Sequence, residues 1–338
     1  MKTKKNLFWG FCALAMFSCE NESLDASSPD AINSSYNKTM SSGTSVYVSS
    51  NNSGALGIFD ISSGITSPMM KSLMLPYVDA DGVEYDSKRD AIYHVNRSDS
   101  KLVTLSNISK RMDGESITPS AMGPSTFTNG RGSSAYNNRV VVVDDVTPGR
   151  LVSYHANEDD ITEFRYYDLG FEVWDVHVEG KDLWAIEDVT DKVAYYSDFF
   201  KAKSGALNPT AKVAIEGLVR THGMDYDAST DTMLLSDIGS AANSTDGGLI
   251  VIHNFSQKFW AAGDGGTISM GDQIRVYGDM TYLGNPVDVA ISPSKNAIFV
   301  AERAQQKFLV FEIPTSNCNC APVYATDFAG ASSVTTDF

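Results

Sequence analysis

Polar side chains recur where the short strands of this sequence are predicted to begin and end. In an antiparallel hairpin the start of the first strand lies beside the end of the second, so we expect these positions to converge on one opening. The polar residues at these positions are Asp81, Asn96, Arg97, Asp144, Asp145, Glu172, Glu187, Asp188, His222, Asp237, Asn285, Glu302 and Arg303. Carboxylate and amide oxygens suit a hard cation such as Ca²⁺. The alternative is a solvated polar rim without a metal.

Three of these residues, Asp81, His222 and Asp237, become candidate metal ligands through a resemblance: residues 221–226 with 234–237 are similar to the gluconolactonase and senescence marker family of metal-dependent lactonases. The resemblance implies that a metal there would polarise an ester carbonyl, with His222 as the base and Asp237 or a bound water attacking or relaying the proton. The alternative for His222 is a hydrogen-bonding role at the rim. No nucleophile elbow, phosphate loop or zinc-protease motif occurs in the sequence.

The elements that must position these residues form an internal repeat. Five segments open with a short strand whose third position is Glu84, Ala135, Asp175, Asp225 or Asp288, followed by a turn and two further apolar strands. The third positions recur every 40 to 63 residues, which brackets the repeat length of β-propellers. Short β-rich strands separated by Gly, Asn, Asp and Ser turns predict four-stranded antiparallel blades around a channel. The sequence therefore predicts an all-β propeller over residues 44–338.

The two ends of the repeat region predict the number of blades. Residues 46–48 and 55–61 read as second and third strands with no first strand before them, and residues 332–338 remain as an extra strand. Pairing this C-terminal strand into the first blade closes the ring and removes its free edges. The prediction is therefore six blades, closed by the C-terminus.

The repeat resembles known propeller families. Residues 285–303 are similar to repeats of the NHL and YVTN families, and residues 221–226 with 234–237 resemble the gluconolactonase and senescence marker family. That second family consists of six-bladed, metal-dependent lactonases. The resemblance implies that Asp81 takes the place of a family Glu, His222 that of an Asn, and Asp237 that of the catalytic Asp. Trp174 stands where the other family Asn is expected, so both amide oxygens are missing.

A binding protein is the competing functional class. Aromatic and acidic side chains around a concave mouth can bind sugars, peptides or cationic ligands. The candidate ligand-binding residues are Glu84, Trp174, Asp175, Asp225, Asp288, Glu302 and Arg303. A platform for partner proteins is a third class, because propellers host all three functions. The sequence favours a propeller that binds a ligand or protein partner through its mouth, with a Ca²⁺-dependent, lactonase-like hydrolase as the alternative.

The N-terminus predicts export and lipid anchoring. Lysines precede the apolar run 7–17, which is too short to span a bilayer but suits a signal peptide. The run ends at residues 16–19, which resemble a bacterial lipobox with Cys19 as the acylated residue, and residues 20–22 resemble an acidic export signal of Bacteroidetes lipoproteins. The predicted boundaries are a signal peptide at 1–18 and a flexible tether at 19–43. Attachment to the outer membrane, on its periplasmic or outer side, is expected.

Composition excludes one class of partner. The chain has 338 residues and a formal net charge of −16, a surface that repels the phosphates of nucleic acids. Cys318 and Cys320 are the cysteines that remain beyond the predicted lipidation site. Outside the cytoplasm they would form a small loop disulfide or stay as two thiols.

Overall fold

The computed structural model describes residues 43–338, apart from the side chains of Glu163 and Phe164. These residues form six mainly antiparallel sheets, and the innermost strands of neighbouring sheets contact one another in a closed ring. This confirms the predicted all-β, six-bladed propeller. The predicted signal peptide, the lipidated Cys19 and the tether up to residue 42 lie outside the described residues.

The blades are numbered in chain order. Blade 1 contains β1 (Ser45–Ser50), β2 (Ala55–Asp60), β3 (Met69–Met74) and, as its innermost strand, the last strand of the chain, β26 (Ala331–Thr336). Blade 2 contains β4 (Ala80–Asp86), β5 (Ala91–Asn96), β6 (Lys101–Ser106) and β7 (Ala121–Ser125). Blade 3 contains β8 (Gly130–Tyr136), β9 (Arg139–Asp144), β10 (Arg150–Ala156), β11 (Ile161–Asp168) and the short β15 (Gly205–Ala206).

The second half of the ring has the same order from the channel outwards. Blade 4 contains β12 (Val173–Glu179), β13 (Asp182–Glu187), β14 (Lys192–Tyr196), β16 (Ala211–Ile215) and the short β20 (Thr267–Ile268). Blade 5 contains β17 (Met224–Asp227), β18 (Thr232–Asp237), β19 (Gly248–His253) and β21 (Ile274–Tyr277). Blade 6 contains β22 (Pro286–Ser292), β23 (Ala297–Glu302), β24 (Lys307–Glu312) and β25 (Tyr324–Asp327).

Helices are few and short in the described chain. They are α1 (Phe255–Ala262) and the 3-10 turns Ile108–Lys110, Phe199–Lys201, Met270–Asp272 and Pro293–Lys295. Within residues 43–338, no helix has the length and apolar character needed to cross a membrane.

The core lies between the blades rather than inside a single sheet. The second and third strands are buried on both faces, so they read as continuous apolar runs such as residues 140–143. Six clusters of buried apolar side chains each join two neighbouring blades. The cluster of blades 4 and 5, for example, packs Trp184 against Phe255 and Phe259 of α1. Neighbouring blades therefore share one apolar layer at every interface.

The C-terminal strand closes the ring as predicted. β26 pairs antiparallel with β1, with Val334 opposite Val48 and Thr336 opposite Val46. Val334 and Ala331 enter the apolar cluster between blades 6 and 1. The first blade is therefore built from both ends of the propeller, and its innermost strand comes from the end of the chain.

Loops of the following blade cover several outer edges, which the sequence pattern did not indicate. β15 pairs parallel with the outer strand β11 of blade 3, and β20 does the same for β16 of blade 4. Single bridges join Ser116 to Met74 and Cys318 to Val276. Cys318 and Cys320 form a disulfide in this last loop. Covered edges cannot template pairing with other chains.

Deleting residues 331–338 tests the closure. Loss of β26 leaves β1 with an open edge and uncovers part of an apolar cluster, so we expect loss of a cooperative thermal transition by circular dichroism. The milder Val334→Ala variant removes only buried methyl groups and should cost about 2 kcal/mol with the transition still cooperative. A truncated chain that unfolds like the wild type would contradict the closure.

Candidate functional site

A β-bulge at the start of the innermost strands shapes one end of the channel, which we call the mouth. In blade 2, Ala80 pairs with Asn96 but Val83 pairs with His94, so one extra residue lies between them. The same shift occurs in blades 1, 3, 4 and 6. A bulge re-aims the side chains of the extra residues. Asp81, Arg131 and Trp174 lie in these bulges of blades 2, 3 and 4.

Three residues from successive blades form a stack at the mouth, defined here as Arg131, Trp174 and His222. The His222 and Trp174 rings are parallel within 2° and their centroids lie 3.6 Å apart. The Arg131 guanidinium carbon lies 4.2 Å from the Trp174 ring centroid, as in a cation–π contact. Because Arg131 comes from blade 3 and His222 from blade 5, the indole of blade 4 lies between them. Trp174 therefore offers its edge, and not a ring face, to a ligand.

Ion pairs hold the stack in place. Arg131 contacts Asp81 on one side, at 3.4 Å, and Asp145 on the other, at 3.2 Å. Arg220 makes two hydrogen bonds to Asp188, at 2.7 and 2.8 Å. Such bidentate pairs fix geometry as well as charge. The mouth thus has a preformed, charge-balanced lining from blade 2 to blade 5.

The protonation of His222 follows from this lining. Burial lowers the pKa of His222 to about 4, and the opposing contact with Asp188, 3.5 Å from its Nε2, does not offset this. Burial also works against ionisation of Asp188, but Arg220 and His222 outweigh it and hold the pKa of Asp188 well below its ordinary value. For Asp81, burial dominates and raises the pKa to about 6 despite Arg131 and Arg97. His222 is therefore a neutral imidazole at pH 7.

The acids that end the second strands bind the backbone of their own mouth loops. Asp237 Oδ1 accepts hydrogen bonds from the N–H groups of Arg220 and Gly239, at 3.0 and 2.9 Å. Its Oδ2 accepts from Val219 N–H and the Tyr277 hydroxyl, at 3.1 and 3.0 Å. Glu302 accepts four loop N–H groups in the same way, and Asp144 accepts two. The carboxylates of these acids are therefore engaged in ordering the backbone of the mouth loops.

The predicted metal ligands Asp81, His222 and Asp237 are not assembled into one ligand set. Asp81 faces Arg131 and Arg97, His222 faces Trp174 and Asp188, and the oxygens of Asp237 are occupied as described. Within residues 43–338, no group of three or more His, Cys, Asp or Glu side chains is arranged to hold a metal ion. The donor set at the mouth therefore does not fit the calcium centre that the sequence suggested.

Three of the predicted ligand-binding acids bridge neighbouring blades inside the channel. Asp175 of blade 4 accepts the Met224 N–H of blade 5 at 3.0 Å, and Asp225 accepts the Ile291 N–H of blade 6 at 2.8 Å. Asp288 of blade 6 accepts the Val334 N–H of blade 1 at 2.8 Å. The innermost strands have no sheet partner on their channel side, so their N–H groups need other acceptors.

Serines continue this bridging where the repeat lacks an acid. Ser333 Oγ accepts the Val83 N–H at 3.2 Å, and Ser134 Oγ accepts the Val178 N–H at 2.9 Å. The two serines and the three aspartates therefore join blades 1 to 2, 3 to 4, 4 to 5, 5 to 6 and 6 to 1. The sequence showed the acidic column but not these partners, because each partner lies in the next blade.

Glu84 is the exception among the channel acids. Within residues 43–338 its carboxyl group makes no hydrogen bond or ion pair. Burial raises the pKa of Glu84 well above its ordinary value, and the charges of Asp288 and Asp225 add to this against the opposing effect of His177. His177, which the sequence analysis did not single out, lies 3.1 Å from Asp225. Burial lowers the pKa of His177, but Asp225 and Glu179 outweigh it and raise it to about 10.

Unsatisfied polar atoms concentrate at the mouth. Of fourteen buried side-chain atoms without a hydrogen-bond partner in the described residues, seven lie there. They are Asn51 Oδ1, Arg97 Nε, Arg150 Nε, Asp246 Oδ1, Asn285 Oδ1 and both ring nitrogens of His222, of which Nε2 lies 3.5 Å from Asp188. Buried polar atoms normally have partners, so such a group needs an explanation. These donors and acceptors come from the same end of several blades.

Arg303 is the second unpaired feature of the mouth. Its backbone N–H donates to Asn285 O at 2.9 Å, which ties it to the loop before β22. Its partly buried guanidinium has no hydrogen bond, ion pair or ring contact within residues 43–338, whereas every other arginine of this range has at least one. Of the predicted ligand-binding residues, Trp174, Glu302 and Arg303 lie at the mouth, while Glu84, Asp175, Asp225 and Asp288 lie inside the channel.

Comparisons with known proteins support the fold. No protein-family model matches the chain, and no curated protein matches its sequence. A chain of a nidogen/laminin complex is similar in structure, with a TM-score of 0.61, 12% identity, and coverage of 88% of this chain and 99% of that one. Hydrazine synthase of Kuenenia stuttgartiensis is similar with a TM-score of 0.52 and 10% identity, and the match covers 80% of this chain and 74% of that one. A 6-phosphogluconolactonase assigned as putative, from Bacteroides fragilis, has a TM-score of 0.50 and 12% identity, with coverage of 88% of this chain and 85% of that one. At these identities the likeness shows the propeller fold alone.

Because the Glu84 carboxyl group lies inside the channel without a partner within residues 43–338, we expect Glu84→Gln to raise the thermal stability of the chain at high pH. Because the pKa of Glu84 is raised on folding, the folded state binds a proton more tightly than the unfolded one. Its stability then falls as pH rises from about 4.5 towards the folded pKa. Glu84→Gln resembles the protonated acid, so it should unfold at about the same temperature as the wild type at pH 4 and at least about 2 °C higher at pH 8.

Asp288→Asn is the matched control for this measurement. Its amide would place N–H donors against the Val289 or Val334 N–H groups that Asp288 accepts. Burial raises the pKa of Asp288 to about 7, so we expect a lower unfolding temperature at pH 8, where the carboxylate accepts these N–H groups, and a smaller loss at pH 4, where the acid is protonated. If Glu84→Gln also lowers the unfolding temperature at pH 8, Glu84 has a stabilising partner and this account of the channel is wrong.

Proposed function

We propose that the chain is a binding protein that recognises a ligand or protein partner at the mouth of its propeller. The observation that carries the proposal is the gathering of unsatisfied polar atoms at this end, from Asn51, Arg97, His222 and Asn285. A molecule that offers both donors and acceptors would satisfy them without moving the backbone. The ion-paired stack between these atoms is rigid, which lowers the entropy lost on binding.

The contacts of the mouth give less support to the hydrolase alternative. A Ca²⁺-dependent, lactonase-like reaction needs Asp237 free to act on a substrate and close to a metal. In the structure, four donors occupy the Asp237 oxygens and His222 is stacked on Trp174. Hydrolysis would require Asp237 to leave these donors and His222 to leave Trp174. Ligand recognition requires neither change, so binding is the function that this geometry favours.

The anchoring part of the proposal rests on the N-terminal sequence. We propose that residues 1–18 are removed on export and that Cys19 carries the lipid that holds the propeller at the outer membrane. The acidic surface of the chain is compatible with this attachment because covalent acyl chains need no attraction to anionic headgroups. The site would then be presented at a membrane surface.

A panel of defined probes tests recognition at the mouth. Glucose, gluconate, galacturonate, glutamate and Ca²⁺, together with a displayed peptide library, would be added to the full chain. At a hundredfold excess over its dissociation constant, a ligand that binds only the folded chain adds about 2.7 kcal/mol of stability. We expect a binder whose effect is lost in Asn51→Ala/Asn285→Ala and kept in Asn208→Ala, an exposed control.

The outcomes separate the two functions. Stabilisation by Ca²⁺ that Asp237→Ala abolishes, with hydrolysis of a lactone, would favour the hydrolase. If neither small molecules nor peptides bind in a way that depends on Asn51 and Asn285, the mouth is not a recognition site.

Cys19→Ala tests the anchor. The wild-type chain, expressed with its N-terminus in a bacterial host, should partition into the detergent phase of a Triton X-114 extraction, and its mature N-terminal peptide should carry the mass of acyl chains. The variant should lose the acyl mass and move to the aqueous phase. A non-acylated wild-type N-terminus would show that Cys19 is not a lipidation site.

A further inference from the structure

Exposed apolar side chains surround one side of the mouth. We call these residues the rim: Val189, Val219, Met280 and Tyr282, with exposed fractions of 57%, 63%, 55% and 51%. They lie on the β13–β14 loop, on the connection from blade 4 to blade 5 and on the connection from blade 5 to blade 6. The rim therefore forms an arc over three successive blades. Exposed apolar side chains gathered on neighbouring loops are a feature of interaction sites.

Two rim residues are held in a strained conformation. Val189 has a φ of 57° and Tyr282 a φ of 60°, in the left-handed region. The other non-glycine residues of the described chain with positive φ are all Asp, Asn, Ser or Gln. A β-branched or bulky residue there is an outlier that costs about 1–3 kcal/mol and persists only when its surroundings enforce it. The fold therefore keeps two apolar side chains exposed at an energetic cost.

The mouth network enforces this geometry. Asp188, which binds Arg220 through two hydrogen bonds, also accepts the Val189 N–H at 2.7 Å. Asp237 accepts the Val219 N–H at 3.1 Å. The same acids that order the polar lining of the mouth thus fix two of the rim loops.

Arg303 defines the charge that this surface would recognise. It is hydrogen-bonded through its backbone to Asn285, at the end of the loop that carries Met280 and Tyr282. The other arginines of the mouth already have carboxylate partners: Arg97 pairs with Asp79, Arg131 with Asp145 and Arg220 with Asp188. A carboxylate group of a bound partner would give Arg303 the kind of ion pair that the other three arginines already have.

We infer that the occupant of the mouth is a protein loop that presents an Asp or Glu to Arg303 and packs flanking apolar residues on the rim. This inference rests on the proposed function and names the partner class. A small ligand in the recess would leave the rim exposed, because the rim extends over three blades. A protein loop with an acidic tip covers both surfaces.

A cyclic peptide library tests the inference with the full chain as target. Seven random positions between two cysteines would be displayed with the central position fixed as Asp, and a second library would fix Asn there. We expect binders from the Asp library that carry apolar residues beside the acid. Replacing the central Asp of a selected peptide by Asn should weaken its affinity at least about tenfold, measured by fluorescence anisotropy.

Variants of the chain locate the contact. Arg303→Gln should cause the same loss as the Asp-to-Asn change in the peptide, and the two changes together should cost little more than either alone. Lys203→Gln, at an exposed position two residues before β15 on the outer edge of blade 3, should leave the affinity unchanged. Val219→Ser should weaken binding at least about fivefold.

Val189→Asn separates binding from folding. Asn tolerates positive φ, so the variant should unfold at the same or a higher temperature than the wild type while binding the peptide more weakly.

Selected peptides without an acid, or peptides that bind Arg303→Gln as well as the wild type, overturn the inference. If small molecules bind in a manner dependent on Asn51 and Asn285 but no peptide does, the inference fails while the proposed function stands. If neither binds, both fail.

Discussion

The unpaired inner edge of each blade is the constraint on which the propeller depends. An innermost strand has a sheet partner on one side only, so its remaining N–H groups need acceptors from outside its own sheet. The chain meets this requirement with side chains of the preceding blade, namely Ser333, Ser134, Asp175, Asp225 and Asp288, each of which accepts one N–H of its neighbour. Five of the six pairs of adjacent blades in the described chain are therefore joined twice, by an apolar layer outside and by polar bridges at the axis, and blades 2 and 3 by their apolar layer.

This arrangement explains which parts of the structure the sequence could predict. The strands, the six blades and the closure by residues near Val334 follow from local patterns of apolar residues and turns, which repeat along the chain. The acids of the third column were visible for the same reason. Their role was not, because the acceptor Asp175 and the donor Met224 are 49 residues apart, and spacing along one strand carries no information about the next blade.

The contacts between residues of the mouth also could not be predicted from patterns along the sequence. Trp174 and His222 were singled out separately, and their parallel contact at 3.6 Å joins a bulged residue of blade 4 to the loop that leads into blade 5. Arg131, Arg220 and Asn51 were missed as site residues, since an arginine or asparagine near a turn has no distinctive sequence pattern. Asp237 matched a catalytic position by its place after a strand, but the structure gives it loop N–H groups as partners. The place of an acid after a strand therefore does not by itself indicate which groups that acid binds.

The contacts that stabilise the propeller lie at its axis and between its blades, and not in the mouth loops. Because the polar bridges and the apolar layers already hold the blades together, the loops at the mouth are free to keep features that oppose stability. Those features are strained apolar residues such as Val189, buried polar atoms without partners such as Asn285 Oδ1, and the unpaired guanidinium of Arg303. Each one alone is tolerable in a large fold. They lie at one end of the channel, next to the ion-paired stack, and stability alone does not account for them.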